Sequence, residues 1–310
     1  MAAAKLMPKI FITGASGLAG SIIVSESARQ NISVRVLVRR REKVQWLEGF
    51  KNVEVVEGDL LKPESYIRSL HGIEKALLIS AAFERLTDTQ QTFINVAKIA
   101  GVNHVIKFSG FESGIGFNPQ NFDAMAEHFA LEDYLVHSGL QWSIVRPSQF
   151  MQMYLPGAPT GVNPERSALI VPYGVGKLTP VDVEDVAKVC LQLLTGNGHY
   201  EKVYQITGPD AMDMNEACEI MSRVLQRGIK YIDPGISDYI KLYLPPDIHP
   251  DRVRIVRQIS LERRKCTESL VYLDTHHKFG IRPTNFAEFI YKNASAFTGL
   301  NRSGMGGVQL

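Results

Sequence analysis

The residues best suited to chemistry begin at Gly14-Ala15-Ser16-Gly17-Leu18-Ala19-Gly20, between a short apolar run, KIFIT (9–13), and a helical pattern over 18–30. Gly14 suits a tight turn, Gly17 lets backbone approach a diphosphate, and Gly20 lets the helix pack close to the strand. Ser16 and Leu18 complete the loop. Free N–H groups at a helix start, with the helix dipole, favour an anion. A purely structural glycine turn is the alternative. The strand before and the helix after favour a dinucleotide. The next strand end reads Val38-Arg39-Arg40-Arg41, and its first acid is Glu42. An NAD site places an acid there for the ribose 2′-hydroxyl. Arginine instead suits a 2′-phosphate, so Arg39 and Arg40 point to NADP(H). A charge-assisted contact contributes about 1.5–3 kcal/mol, or about ten- to a hundredfold in preference.

Further strand ends extend the cradle. Asp59-Leu60 is placed to meet adenine, and Ser80-Ala81-Ala82 offers small residues where backbone nears the ribose and diphosphate. For Ala81 and Ala82, simple packing is an equal alternative. Lys107 and Ser109 alternate with Ile106 and Phe108, so both point to one side of their strand. A lysine inside an apolar strand needs a partner or a cleft. Its place near the carboxyl end of the strand favours the crevice, with a structural ion pair as the alternative.

These positions depend on the elements that carry them. Strand-like runs at 9–13, 33–39, 52–59, 75–80, 104–110 and 142–148 alternate with helical patterns near 18–30, 63–71, 88–101 and 122–138. Near-continuous apolar strands in that alternation predict an α/β, Rossmann-type doubly wound parallel sheet. Thr87 and Asp88 are the expected helix cap, and Gly139 the expected stop, of the third and last of these helices. The Pro- and Gly-rich stretch 154–180 reads as loop with one short strand at most. Helices near 183–194, 215–227 and 284–298 and a strand at 202–206 follow. The charged run DRVRIVRQISLERRKCTESL reads as a solvated helix face. The expected division is a dinucleotide-binding domain over 1–153, with parts of 175–210 returning to it. A smaller C-terminal α/β lobe over 154–300 and a frayed tail over 301–310 complete it.

Composition narrows the classes. The 310 residues carry 34 Lys plus Arg against 32 Asp plus Glu, a net charge of +2. That balance argues against a nucleic-acid grip. The three cysteines, Cys190, Cys218 and Cys266, fit neither a disulfide framework nor a zinc site, so no metal is expected. No apolar run approaches the ~20 residues of a membrane span. The expectation is a cytoplasmic protein that does not engage membranes.

The glycine turn, the Arg39–Arg40 strand end, GVNHVIKFSG, AEHFALEDYLVHSGLQWSIVRPSQFMQ and VDVEDVAKV…YQITGP recur in order. With them the chain resembles the NmrA-like branch of the atypical short-chain dehydrogenases/reductases over about residues 9–298. The resemblance implies NADP binding in a cleft between a Rossmann domain and a small lobe. It implies one of two activities: reduction of quinones, azo dyes or triphenylmethane dyes, or redox sensing without turnover. Active members of the wider superfamily carry Tyr-x-x-x-Lys on the helix matching 122–138. Aligned through Glu132 and Ser138-Gly139, this chain has Ala124 at the tyrosine position and His128 at the lysine position. Ala124 then leaves a hole where a flat substrate stacks. His128 is a candidate to hydrogen-bond the nicotinamide ribose or substrate, with a satisfied histidine as the alternative. The resemblance also runs Pro147-Ser148-Gln149-Phe150 under the nicotinamide, and puts Met153 where relatives carry Asn. Tyr154 and Tyr173 are candidate acids from the lid side, although plain loop aromatics would look the same.

The leading expectation is an NADPH-dependent reductase of a flat, electron-poor small molecule, with His128 and Lys107 at the reacting end. The rival is an NADP(H)-binding sensor that acts through a protein partner. An isomerase or lyase is weaker, because no acid–base pair serves it. A homodimer stays open.

Overall fold

The computed structural model describes residues 8–81, 85–110 and 120–297. Its first half repeats strand and helix: β1 (Ile10–Ile12), α1 (Leu18–Arg29), β2 (Val34–Val38), β3 (Val53–Glu57), β4 (Lys75–Leu78), α2 (Leu86–Ile99), β5 (His104–Phe108), α3 (Asp123–Val136) and β6 (Gln141–Pro147). There follow β7 (Val162–Asn163), β8 (Ala168–Ile170), α4 (Val183–Thr195), β9 (Lys202–Ile206), α5 (Met214–Leu225) and β10 (Lys230–Ile232). The chain closes with α6 (Ile236–Tyr243), α7 (Pro250–Lys265), α8 (Asp274–Lys278), α9 (Phe286–Lys292) and α10 (Ala294–Phe297).

Seven strands form one sheet in the order β3-β2-β1-β4-β5-β6-β9. Every pairing in it is parallel. Both faces of β1, β2 and β5 are buried, which explains their near-continuous apolar sequence. On one face Ile12, Val36 and Ile106 pack with Ile23 of α1 and Val186 of α4. On the other, Phe11, Ala76 and Val105 pack with Phe93 of α2 and Leu135 of α3. Each fully buried Val, Leu, Ile or Phe among them contributes about 1.5–3 kcal/mol. Strand order reverses between β1 and β4, so the loops after these strands open a crevice at the carboxyl edge of the sheet.

The second half departs from the sequence expectation. Residues 154–180 hold two short strands, β7 and β8, and β10 completes a three-stranded sheet in the order β10-β8-β7. Strands of two and three residues carry too little periodicity to be read, and their partner arrives much later in the chain. Tyr154 and Tyr173, proposed as lid-side acids, are 2% and 4% exposed and belong to the core of this lobe. Tyr154 packs edge-on against Phe286, and the Arg263 guanidinium sits 4.4 Å from the centre of the Tyr173 ring.

Three smaller expectations also shift. Helix α2 starts at Leu86 after Arg85 in a left-handed conformation, so Thr87 and Asp88 lie inside the first turn and do not cap it. Asp88 instead accepts from Arg85 at 3.1 Å. The pattern at 63–71 is two 3-10 turns, Pro63–Ser65 and Ile67–Leu70, interrupted by Tyr66, whose buried ring stacks near Phe93. The charged run forms α7 but is not merely a solvated face: Ile255, Ser260, Glu262 and Arg263 are buried. Among the described residues no helix is long and apolar enough to cross a membrane. The three cysteines are free and buried.

Candidate functional site

The turn between β1 and α1 is tied down from below. Thr13 donates to the Ile79 carbonyl at 2.6 Å and accepts from the Ile79 amide at 2.8 Å, joining the ends of β1 and β4. Gly14 has φ +67°, and a Cβ there would lie 2.9 Å from Ile79. At Gly20 a Cβ would lie 2.1 Å from the Gly14 carbonyl oxygen, so helix and turn touch through backbone. Gly17 differs, because only that same oxygen comes near, at 3.4 Å. Ser16 and Gly17 are exposed and Leu18 is half-buried. No side chain caps α1 at Gly17, and its first turn holds no acid. The helix therefore presents unfilled amides and its positive dipole end to the crevice.

At the end of β2, Arg39 and Arg40 are exposed. Arg40 has a loose contact with Glu42 at 3.8 Å. Arg39 has no hydrogen-bond or ion-pair partner among the described residues. Arg41 is already used: it donates to the Val55 carbonyl at 2.7 Å, and its amide donates to Glu57 at 3.1 Å. Asp59 accepts from the Leu61 amide at 3.0 Å and shapes the turn that carries Leu60. Ser80 accepts from Gln90 at 3.0 Å, and Ala81 is exposed beyond it. Ala82 lies outside the described residues.

Pro147 closes β6 and is buried. Beyond it the Gln149 carbonyl accepts from Val181 at 2.8 Å, which fixes the segment. The Phe150 and Phe108 rings lie 6.3 Å apart. The Gln149 Oε1 is buried without a hydrogen-bond partner among the described residues. Such an acceptor costs stability until a donor reaches it.

A buried polar cluster joins the end of β5, α3 and β6. Lys107 is fully buried, opposite Leu78 of β4 and Ile144 of β6. Its Nζ lies 3.1 Å from Ser109 Oγ and 3.1 Å from His128 Nδ1. Ser109 donates to Glu132 at 2.5 Å. Glu132 in turn accepts from Arg146, whose Nε lies 3.0 Å from both carboxylate oxygens and whose Nη2 also reaches it. The Arg146 guanidinium sits 5.0 Å from the centre of the Phe129 ring. Burial pushes the Lys107 ammonium down to about 7; Glu132 opposes this shift and Arg146 adds to it. His128 is held well below the ordinary imidazole value by burial and then by the Lys107 charge. His128 as a residue is half-buried.

Glu132 and Arg146 were not among the sequence candidates. The signal was present: an arginine near the end of a buried strand demands a carboxylate, and α3 carries one. The hole expected beside Ala124 is filled. Ala124 is buried with Phe122, Met125 and Ile255, with Phe129 and Ile259 packed against them, so α7 covers the place of the missing tyrosine. Among the described residues no His, Cys, Asp and Glu cluster could hold a metal.

The NmrA-like family profile matches residues 7–283. The chain belongs to the NmrA-like family. Within curated proteins it is 30% identical over 292 residues to the (4-alkanoyl-5-oxo-2,5-dihydrofuran-3-yl)methyl phosphate reductase of Streptomyces griseus, covering 93% of this chain and 99% of that one. It is 29% identical over 224 residues to the NAD(P)H azoreductase of Xenophilus azovorans, covering 72% and 76%. Its fold matches that of an Escherichia coli NADPH-dependent quinone oxidoreductase solved with NADPH, with a TM-score of 0.78, 24% identity, and coverage of 91% and 99%.

Proposed function

We propose that this NmrA-like protein binds NADP(H) at the carboxyl edge of the seven-stranded sheet and reduces a flat, electron-poor small molecule. The observation that carries the reading is the pairing of an uncapped α1 N-terminus with a partnerless Arg39 at the adjoining strand end. The residues fit the coenzyme in two further ways. A Cβ at Gly17 would meet only the Gly14 carbonyl oxygen, so this position is uncrowded, and the Gln149 Oε1 lacks a donor among the described residues. Relatives named as reductases of azo and quinone substrates support the acceptor class, a quinone, azo or related conjugated compound.

In this reading Gly14, Ser16, Gly17, Leu18 and Gly20 hold the diphosphate, and Arg39 and Arg40 hold the 2′-phosphate. Asp59 and Leu60 flank adenine, Ser80 and Ala81 the ribose. Pro147, Gln149 and Phe150 support the nicotinamide, with Gln149 Oε1 accepting from its carboxamide or ribose. When bound, NADPH supplies a hydride. Ser109 and Glu132 orient the wall of the crevice, and His128 and Lys107 stand at the reacting end. The described residues up to 153, with α4 and β9 returning to them, form the coenzyme half, and the rest of 154–297 the acceptor lobe. Conjugated acceptors suit a site in which Ala124 replaces a tyrosine acid, since much of the acceleration comes from positioning and a dry field.

The test is NADPH oxidation against a panel of small quinones and azo dyes. Turnover above the enzyme-free rate is the expected result. Tight NADPH binding with no turnover would overturn the reductase reading. It would favour an NADP(H) sensor acting through a protein partner, which the packed Ala124 also suits.

A further inference from the structure

The geometry points to a proton relay in which His128 Nε2 delivers a proton to the reduced acceptor while Lys107 refills His128 through Nδ1. This rests on the reductase reading and adds what that reading leaves open, the source of the proton. Lys107 has no exposed surface, so it exchanges its proton through a neighbour. Among the described residues two polar neighbours lie within reach of its ammonium, Ser109 Oγ and His128 Nδ1, both at 3.1 Å. Ser109 spends its own hydrogen on Glu132 at 2.5 Å, and Glu132 is in turn held by Arg146. That branch is closed. His128 is different, because an imidazole can take a proton at one nitrogen and release one at the other.

The tautomer follows from the same contacts. An ammonium donates, so Nδ1 must accept, and the ring hydrogen sits on Nε2. Gly110, just past the end of β5, leaves room along that edge of the ring. A Cβ there would lie 3.3 Å from His128 Cδ2 and 3.4 Å from Nε2. A side chain at this position would crowd the donating nitrogen. The groups facing Lys107 are Ser109 on its own strand, His128 and Glu132 on α3, and Arg146 on β6, while its β4 neighbour Leu78 is apolar. With Glu132 paired to Arg146, no free carboxylate among the described residues anchors the ammonium. Burial leaves it near neutrality in its hold on the proton, at about 7.

The coenzyme supplies a hydride, and a quinone or azo bond that receives it becomes an anion. The anion forms a bond to the hydrogen of His128 Nε2, the Nε2–H bond breaks, and a proton moves from Lys107 Nζ to Nδ1. Lys107 ends neutral, and water restores the proton through His128 after product leaves. A delocalised cationic dye that receives a hydride becomes neutral and needs no proton. It therefore serves as an internal control.

The experiment compares the wild type with Lys107→Met, using a small para-quinone and a triphenylmethane dye cation as acceptors with NADPH. The expected result is a loss of ~100-fold in kcat for the quinone, the usual size of a general-acid contribution, with the dye cation nearly unaffected. The wild-type quinone rate should fall as pH rises through about 7, the value at which buried Lys107 gives up its proton, and the variant should lose that limb. Nitrogen-15 NMR of His128 should show Nε2 protonated and Nδ1 accepting in the wild type below that pH. Gly110→Ala should slow the quinone more than the dye. Equal losses for both acceptors, or no loss for the quinone, would overturn the relay while leaving a working reductase. A protonated Nδ1 would overturn it as well. A wild type that reduces neither acceptor would sink the reductase reading and the relay together.

Discussion

Arg39, at the end of β2, and Lys107, one residue from the end of β5, carry the same formal charge near the same edge of the sheet. Their surroundings are opposite. Arg39 is exposed, with no side-chain partner among the described residues, so water solvates its guanidinium. Lys107 has lost its water, and Ser109 and His128 only partly replace it. Desolvation favours the neutral form, so the lysine loosens its proton. The difference teaches that burial and residue type act together: the exposed guanidinium keeps its charge, whereas the buried ammonium is the kind of cation that desolvation can loosen.

The buried side of the comparison should break most easily. Glu132→Ala leaves Arg146 without its carboxylate and Ser109 without its acceptor, and should cost about 3–5 kcal/mol in urea unfolding. A loss below about 1 kcal/mol, the scale of an exposed pair, would show that the cluster is not desolvated. Gly20→Ala comes next. Its Cβ would lie 2.1 Å from the Gly14 carbonyl, so the turn must shift. We expect about 1–3 kcal/mol of destabilisation, the usual cost of overpacking, with weaker NADPH binding by titration.

The lysine itself gives a smaller, pH-dependent signature. Its value in the fold is about 7 against an ordinary 10.5. Between those values the unfolded chain binds more protons than the native one. Stability carried by this group therefore rises with pH across that window, by at most about 1.4 kcal/mol per pH unit. Unfolding free energies of wild type minus Lys107→Met, measured from pH 7 to 10, should show that slope. A flat difference would place the lysine in water. The smallest effect belongs to the exposed side. Glu42→Ala removes only a 3.8 Å contact to Arg40 and should stay within about 0.5 kcal/mol.

The same contrast explains what the sequence reveals. The strands of the large sheet are legible because two buried faces force runs such as VRVLV and HVIKF. The glycine turn is legible because backbone contact at Gly20 excludes any Cβ. Lys107 stands out as a charge in an apolar strand. Its partners are harder to read, since His128, Glu132 and Arg146 meet it only after α3 folds across β5 and β6. The small lobe is hardest, because β7, β8 and β10 are two or three residues each and pair across long stretches of chain. Tyr154 and Tyr173 sit in Pro- and Gly-rich sequence and look like loop aromatics, yet distant elements bury them.

The most direct test of the account is calorimetric titration of the purified protein with NADPH and with NADH, repeated on the Arg39→Ala/Arg40→Ala double variant. The account predicts that NADPH binds about ten- to a hundredfold more tightly than NADH, and that the double variant erases the difference while keeping NADH affinity. Equal affinities in the wild type, or no measurable binding of either coenzyme, would contradict it.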